Sequence, residues 1–220
     1  MIVYTRYGKS AGRLGNQTMQ LMTMTAFSKK YNCEFQVPRW AYSDYFENPP
    51  NQFDVDPKID LTVKEDHFHF TPFLWDQYAE DFRTKTVNIF GWLQSYKYWE
   101  EYKEDVYKAL KFKDSFIAST KNKIDQKIFE KPIIAISIRQ GSDYADNPNY
   151  ELIPIKFYLL ALLEYFPDFR DNYNLLLFSD EPNYCKLHFE SLTNVWYANE
   201  LSDIEQLCFM STQCKHFIIA

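Results

Sequence analysis

Residues 133–138 read IIAISI, and this stretch decides the fold class. An unbroken apolar run of this length predicts a strand that is buried on both faces of a sheet. Further apolar runs follow along the chain, and helical patterns separate them. The strands are NLLLFS (174–179), NVWYA (194–198) and HFIIA (216–220), and the helices cover about 154–166, 182–190 and 201–213. This alternation predicts an α/β fold with a parallel sheet and right-handed crossovers.

The first half of the chain begins with a similar but weaker pattern. A short strand is predicted at 2–4, a helix at about 15–31 and a second strand at 34–37, ended by Pro38. Residues 40–86 show poor periodicity and are predicted to be loops and short elements, whereas 100–130 is predicted to be helical. Lys131-Pro132 separates this helical region from the alternating strands and helices of the second half. The sequence therefore predicts two domains, 1–130 and 131–220.

Arg139 directly follows the IIAISI strand, and Gly141 allows the backbone to turn within two residues. Ligands of parallel sheets bind beyond the carboxyl ends of the strands. A guanidinium at that place is suited to bidentate contact with phosphate oxygens. The alternative is a structural arginine paired with Asp143 or Asp146. The loop that begins with Ser179 and Asp180, after the next strand, occupies the corresponding position.

The loop GRLGN, residues 12–16, precedes the first predicted helix in a chain with only five glycines. Gly12 and Gly15 permit close approach of the backbone to a ligand, and the start of a helix offers N–H groups to an anion. Arg13 and Asn16 add side-chain donors next to Leu14. The loop lacks the lysine of a Walker motif and the full G-x-G-x-x-G pattern. The alternative is a tight turn before a helix.

Charge and cysteine content exclude several classes of function. A net charge of −6 argues against a nucleic-acid partner, whose phosphates need a basic surface. The four cysteines show no C-x-x-C spacing, which predicts reduced thiols and a cytoplasmic protein. Neither a signal peptide nor an apolar run of about 20 residues is found, so the protein is predicted to be at most peripheral at a membrane.

Three weaker patterns have ordinary structural explanations beside functional ones. Asp54-Val55-Asp56 resembles a metal-binding Asp-x-Asp pair, but chance occurrence in an acidic chain predicts a solvated loop. His67 and His69 lack an evident third metal ligand and are predicted to be surface or packed residues. The aromatic run at 90–99 is predicted to be core, although such rings also stack on sugars.

Five motifs in order resemble the α-1,2-fucosyltransferases of glycosyltransferase family 11, over residues 12–220. GRLGNQTMQ is similar to the family's Arg-Leu-Gly-Asn-Gln signature, and GWLQSYKYW to its Gly-Tyr-Phe-Gln-Ser-x-Lys-Tyr-Phe segment. SIRQGSDY resembles the His-x-Arg-Arg-Gly-Asp-Tyr loop, FSDE the Phe-Ser-Asp-Asp motif, and FMSTQCKHFIIA the Leu-Met-Ser-x-Cys-Lys-His-x-Ile-Ile-Ala segment. The arginine and aspartate loops also resemble those of protein O-fucosyltransferases and nodulation fucosyltransferases.

The resemblance implies a GT-B-type fold with two Rossmann-like domains facing a cleft. It implies an N-terminal acceptor-side domain, a C-terminal GDP-sugar-binding domain, and inverting transfer of L-fucose from GDP-fucose without a metal or other cofactor. The acceptor would be a glycan with galactose, joined at O2. Arg139 would bind phosphate. A carboxylate should also take the proton of the acceptor hydroxyl, and Asp143 is a candidate for this catalytic role, with bracing of Arg139 as the alternative. The remaining donor-binding candidates are Gly12, Arg13, Leu14, Gly15, Asn16, Ser179 and Asp180.

The sequence also departs from the family pattern. Ser137 replaces the histidine, Gln140 replaces the second arginine, and Ser142 is inserted before Asp143. The segment MSTQC carries one extra residue. The family continues beyond the position of Ala220 with Asn-Ser-x-Phe-Ser-Trp-Trp, which predicts a C-terminally incomplete chain. The Ser137, Gln140 and C-terminal departures support one alternative, a non-catalytic GDP-sugar or glycan-binding protein derived from such an enzyme. A third alternative is an α/β domain that serves only in assembly.

Overall fold

The computed structural model describes residues 1–7, 12–67, 69–141, 145–146, 148 and 151–219. The chain divides into two compact units, Met1–Lys113 and Asp114–Ala220. Each unit contains its own parallel sheet. The predicted α/β class with two parallel sheets is therefore confirmed.

The described residues of the first unit form five short strands and three α-helices. The strands pair in the order β3-β2-β1-β5-β4, and all described pairings are parallel. The elements are β1 (Ile2–Val3), α1 (Leu14–Tyr31), β2 (Phe35–Pro38), β3 (Asn51–Phe53), β4 (Leu61–Lys64), α2 (Ala79–Thr84), β5 (Val87–Phe90) and α3 (Lys103–Ala109).

The order of strands reverses between β1 and β5. The chain runs from β1 outward to β2 and β3, then continues with β4 at the other edge and returns through β5 to the side of β1. In parallel sheets such a switch point opens a crevice beyond the carboxyl ends of the two strands, because the connections leave in opposite directions. The loop at 12–16 and the segment after β5 both lie at this edge.

Helix α1 is the main packing partner of the first sheet. Leu21, Met24 and Phe27 are buried along one face at helical spacing. The helix ends at Asn32, which adopts the left-handed conformation with φ 49°, and Lys29 and Lys30 complement the helix dipole in the last turn. The predicted helix at about 15–31 is confirmed.

The second unit has four strands in the order β8-β7-β6-β9, again all parallel. Its switch point lies between β6 and β9, which is the position at which parallel sheets bind ligands beyond the carboxyl ends of their strands. The elements are α4 (Asp114–Lys121), β6 (Ile133–Ile138), α5 (Ile155–Tyr165), α6 (Phe169–Asn172), β7 (Asn174–Ser179), α7 (Pro182–Phe189), β8 (Val195–Tyr197), α8 (Asp203–Gln213) and β9 (Cys214–Ile219).

The central strands β6 and β7 are buried on both faces, as the apolar runs predict. Ile134, Ile136 and Ile138 pack on one side of the sheet against α5 and α7. Ile133 and Ala135 pack on the other side with Phe209 of α8. Ser202 caps α8 through the capping box with Glu205, which confirms the predicted helix start.

The boundary between the units lies earlier than the sequence analysis placed it. The structure divides the chain after Lys113, whereas the predicted boundary follows Glu130. Residues 114–130 belong to the second unit because Ile124 and Ile128 pack in its core and α4 contacts α8. The roles assigned to the two domains remain predictions.

Two strands and a break in a helical region were not predicted. β3 and β4 lie within 40–86, and the helical pattern at 100–130 is divided between α3, α4 and a 3-10 turn at Gln126–Glu130. β2 also extends through Pro38. None of the helices formed by the described residues is both long enough and apolar enough to cross a lipid bilayer.

Candidate functional site

Arg139 and Asp180 follow neighbouring parallel strands at the same edge of the second sheet. Ile138 at the end of β6 pairs in register with Ser179 at the end of β7. The residues that come next are therefore brought side by side at the carboxyl edge. This is where ligands of such sheets bind.

Asp180 holds the segment that carries Arg139. Its Oδ1 accepts a hydrogen bond of 2.8 Å from the backbone N–H of Gln140. Its Oδ2 lies 3.6 Å from Nε of Arg139, as an ion pair. The sequence analysis named Asp143 and Asp146 as structural partners of Arg139. The structure shows Asp180 in a bracing role, and the pairing with Asp143 stays a prediction because Asp143 lies outside the described residues.

The guanidinium of Arg139 is well placed to bind an anion. The Arg139 side chain is 36% exposed, so it reaches solvent at the sheet edge. Its Nε atom faces the carboxylate of Asp180. An arginine held in this way presents a planar set of donors that fits two phosphate oxygens. Preorganisation lowers the entropy cost of binding such a group.

Two further contacts fix the loops around Arg139. The side chain of Gln140 donates a hydrogen bond of 2.9 Å to the carbonyl oxygen of Ile153. Ser179 Oγ accepts a hydrogen bond of 3.0 Å from the backbone N–H of Glu181, which turns the chain into α7. Ser179 therefore shapes the loop. The predicted catalytic carboxylate, Asp143, lies outside the described residues.

The loop at 12–16 in the first unit contains the positive-φ backbone that its glycines permit. Gly12 has φ +88°, and a Cβ at this position would overlap with the side chain of Asn16. Only glycine adopts this conformation without strain. Gly15 has open space around its Cα, so another molecule can approach the backbone there.

Buried contacts hold this loop in place. Gln17 Nε2 donates a hydrogen bond of 2.8 Å to the carbonyl oxygen of Gly12. Gln17 Oε1 accepts a hydrogen bond of 3.0 Å from the indole N–H of Trp40. Leu14 is buried in the core, whereas Arg13 and Asn16 are exposed at the start of α1. The loop thus presents an arginine, an amide and helix N–H groups on a rigid base.

A pocket of about 290 Å³ opens at the switch point between β1 and β5. It combines aromatic rings with polar side chains, a mixture that suits a sugar ring. Its walls include Tyr4, Arg6, Gly12, Asn16, Trp92 and Gln94. Two of the predicted donor-binding residues, Gly12 and Asn16, are therefore in its wall.

Arg6 and Tyr4 were not predicted as site residues. The guanidinium of Arg6 lies 4.4 Å from the centre of the Phe90 ring, as a cation–π contact. Burial raises the pKa of Tyr4 to about 12, although the charge of Arg6 partly opposes this shift. Arg6 lies shortly after the end of β1, and Arg139 lies directly after the end of β6. The rule that ligands bind beyond the carboxyl ends of parallel strands would therefore also have predicted Arg6 as a site residue.

Of the weaker sequence patterns, the aromatic run at 90–99 reaches the pocket through Trp92, whereas the Asp54–Asp56 pair does not line it. Asp54 forms an exposed ion pair of 3.2 Å with Arg39, as a solvated loop would. Among the side chains that the structure describes, no three or more from His, Cys, Asp and Glu are grouped to hold a metal ion. The aromatic run at 90–99 contains both buried and exposed side chains. Leu93 and Tyr98 are buried, whereas Trp92 is 47% exposed.

Comparisons with known proteins place the chain among the glycosyltransferases. The sequence model of glycosyl transferase family 11 matches residues 6–220. No curated protein sequence gives a significant match.

Solved structures of fucosyltransferases share the fold. POFUT1 in complex with GDP-fucose is 12% identical with a TM-score of 0.64, and the match covers 99% of this chain and 90% of that chain. The NodZ α-1,6-fucosyltransferase soaked with GDP-fucose is 12% identical with a TM-score of 0.59, and the match covers 99% and 87%. The fucosyltransferase NodZ from Bradyrhizobium is 10% identical with a TM-score of 0.51, and the match covers 96% and 80%. At these identities the likeness shows the fold alone.

Proposed function

This chain belongs to glycosyl transferase family 11, and from that premise we propose that it transfers L-fucose from GDP-fucose to a sugar hydroxyl. The proposed acceptor is O2 of a galactose in a glycan, and the proposed reaction inverts the anomeric centre. Solved structures of the same fold contain GDP-fucose, which supports this donor. The observation that carries the proposal is Arg139, which is braced by Asp180 and about one-third exposed at the carboxyl end of β6.

Arg139 binds the diphosphate of the donor and stabilises the leaving GDP. Negative charge develops on the diphosphate as the glycosidic bond breaks, so a fixed guanidinium stabilises the transition state more than the ground state. A charge pair at 4 Å and an effective dielectric constant near 20 contributes about 4 kcal/mol before desolvation. Asp180 acts on the donor through Arg139, by holding the arginine in place, and Ser179 shapes the adjoining turn.

The loop at 12–16 also binds the donor in this proposal. The N–H groups at the start of α1 and the side chains of Arg13 and Asn16 are donors for an anion or a sugar hydroxyl. Gly15 leaves its backbone open to close approach. The neighbouring pocket at the end of β1 and β5 binds a sugar ring against Trp92.

A carboxylate accepts the proton of the attacking hydroxyl, as general base. Asp143 is the candidate for this role. The proposed mechanism uses no metal ion, and transfer that persists at full rate in excess chelator is the expected result. A rate that falls with chelator and returns with a divalent cation would contradict this part of the proposal.

The proposed location is the cytoplasm. All four cysteines are free thiols in the structure, and two of them are buried, as expected for a reducing compartment. Fractionation of the source cells with antibodies against the protein tests this location.

One observation favours a second candidate, a non-catalytic GDP-sugar-binding protein. Gln140 stands where the family motif carries a second arginine, and its side chain is engaged with the carbonyl oxygen of Ile153. One cation fewer at the diphosphate weakens stabilisation of the leaving group by about 1.5–3 kcal/mol.

Calorimetric titration with GDP-fucose beside a transfer assay on galactose-containing acceptors distinguishes the two candidates. Binding together with release of GDP and formation of a fucosylated product supports the enzyme. Binding without turnover on any acceptor supports the second candidate. Absence of GDP-fucose binding contradicts both.

A further inference from the structure

Glu65 is a buried carboxylate to which neither the family motifs nor the donor site assigns a role. It follows β4 directly and is only 4% exposed. Its backbone N–H donates a hydrogen bond of 2.8 Å to the carbonyl oxygen of Phe90, at the end of β5. Glu65 therefore sits at the carboxyl edge of the first sheet, next to the pocket.

Both oxygens of Glu65 are used to hold neighbouring chain segments. Oε2 accepts hydrogen bonds of 2.7 Å from the backbone N–H of Trp92 and 3.0 Å from that of Leu93. Oε1 accepts a hydrogen bond of 2.8 Å from the hydroxyl of Tyr98. Two successive backbone donors on one carboxylate oxygen define the path of the chain closely, because both bonds must keep their direction.

The segment held in this way, Gly91–Gln94, is the wall loop of the pocket, and it is strained. Leu93 has φ +54°, which is rare for a branched side chain, although it is fully buried. Its carbonyl oxygen accepts a hydrogen bond of 2.8 Å from Thr23 Oγ1. A backbone in a sparsely populated conformation persists only when its surroundings force it.

Gly91 shows how closely the wall loop and Glu65 fit together. A Cβ on Gly91 would lie 2.6 Å from Cβ and 2.7 Å from Oε2 of Glu65. The carbonyl oxygen of Gly91 accepts a hydrogen bond of 2.5 Å from the hydroxyl of Tyr4. The loop is thus fixed from two sides, by Glu65 and by Tyr4.

We propose that Glu65 is a positioning residue that holds the wall loop in its strained form and so places Trp92 and Gln94 to bind a sugar ring. This inference rests on the proposed function for the identity of the ligand, but the positioning itself does not depend on it. Trp92 offers a half-exposed aromatic face to the sugar, and Gln94 offers an amide to its hydroxyls. Glu65 acts through the loop, since its own oxygens are occupied by Trp92, Leu93 and Tyr98.

The test compares Glu65→Ala with Glu65→Gln. In the glutamine variant the amide oxygen can accept from both backbone N–H groups, and the NH₂ group can donate to the Tyr98 oxygen. Glutamine therefore keeps the loop in place, whereas alanine removes all three side-chain hydrogen bonds. We expect hydrogen exchange at the amides of Trp92 and Leu93 to accelerate at least 10-fold in Glu65→Ala and less than 3-fold in Glu65→Gln.

The kinetic readout separates positioning from chemistry. We expect Glu65→Ala to raise the KM for the sugar acceptor at least 10-fold with less than a 3-fold change in kcat, and Glu65→Gln to restore most of the wild-type KM. Tyr98→Phe, which removes one of the three donors, gives an intermediate effect and provides a test if the alanine variant does not fold.

Glu205→Gln is the matched control. Glu205 is also a buried carboxylate, 8% exposed, and it accepts a hydrogen bond of 2.9 Å from the backbone N–H of Ser202 in the second unit. Its substitution should leave exchange at Trp92 and Leu93 at the wild-type rate. Unchanged exchange at these amides in Glu65→Ala, or equal damage from glutamine and alanine, would overturn the inference. If the wild-type protein transfers no fucose, the proposed function fails, but the exchange result still decides the role of Glu65.

Discussion

Arg139 and Asp180 stand side by side at the ends of two paired strands, with Nε of Arg139 3.6 Å from Oδ2 of Asp180. The same carboxylate binds the backbone N–H of Gln140, so one side chain fixes both the arginine and the turn that follows it. Because both partners are about one-third exposed, the ion pair itself contributes at most about 1 kcal/mol to stability. Its main effect is on the position of the guanidinium.

Asp180→Ala should therefore impair transfer through Arg139. We expect kcat/KM to fall about 50-fold in Asp180→Ala. In Asp180→Asn, where an amide oxygen still accepts from Gln140, we expect a fall of about 5-fold. These changes correspond to about 2.3 and 1 kcal/mol of transition-state stabilisation. Steady-state kinetics of the two variants measure the difference.

A double-mutant cycle checks that Asp180 acts through Arg139. Once Arg139 is alanine, substitution of Asp180 should have little further effect, because residues in one network do not add. Additive losses would contradict the bracing role. Asp171→Asn, an exposed carboxylate on α6 of the same unit, is the control and should retain wild-type kinetics.

The two glycines of the loop at 12–16 should respond in opposite ways to alanine. Gly12→Ala forces φ +88° on a residue with a Cβ and overlaps with Asn16, so we expect a loss of at least about 1 kcal/mol in the free energy of unfolding. Gly15 lies in the first turn of α1 with nothing near its Cα, so Gly15→Ala should gain up to about 1 kcal/mol. Urea denaturation gives both values.

Gly15→Ala also tests whether the donor approaches the backbone at this point. We expect this more stable variant to bind GDP-fucose at least 10-fold more weakly, because the added methyl group occupies the space that the ligand needs. Wild-type affinity in Gly15→Ala would show that Gly15 is not in contact with the donor.

The stability of the first unit should fall at high pH, in part because of Tyr4. Burial raises the pKa of Tyr4 from 10.0 to about 12 in the folded state, so the folded state keeps a proton that the unfolded state loses. The free energy of unfolding that this group contributes is complete below pH 10 and is lost as the pH rises through about 12. Denaturation at a series of pH values should show a shallower fall in Tyr4→Phe than in the wild-type protein.

Tyr165→Phe is the control for this measurement, since Tyr165 is 70% exposed on α5. It should leave the slope between pH 10 and 12 unchanged. An equal slope in Tyr4→Phe and the wild-type protein would mean that Tyr4 ionises alike in the folded and unfolded states.

The sequence predicted the parts of the fold that are fixed by long apolar runs. β6 and β7 are buried on both faces, so their runs are unbroken and their ends mark the sheet edge where Arg139 lies. β4 was missed because only Val63 of its four residues is buried and the strand is stabilised mainly by pairing with β5. The partner residues in β5 lie more than 20 positions further along the chain, so the local sequence around β4 does not predict this pairing.

The sequence predicted the positions of candidate residues where a rule of position applied, and it missed those that depend on tertiary contacts. Strand ends and glycine spacing predicted where Arg139 and the loop at 12–16 lie, and their roles stay predictions. Asp180 was named, but its bracing of Arg139 follows from the register of β6 and β7. No sequence pattern indicated a role for Glu65, because its partners Trp92 and Tyr98 lie 27 and 33 positions further along the chain.

Calorimetric titration of GDP and guanosine into the wild-type protein and Arg139→Ala tests the central claim most directly. If Arg139 is the diphosphate ligand at the end of β6, the wild-type protein binds GDP at least 100-fold more tightly than guanosine. Arg139→Ala should then lose most of that difference and keep its affinity for guanosine. An Arg139→Ala variant that binds GDP as tightly as the wild-type protein does would contradict the account.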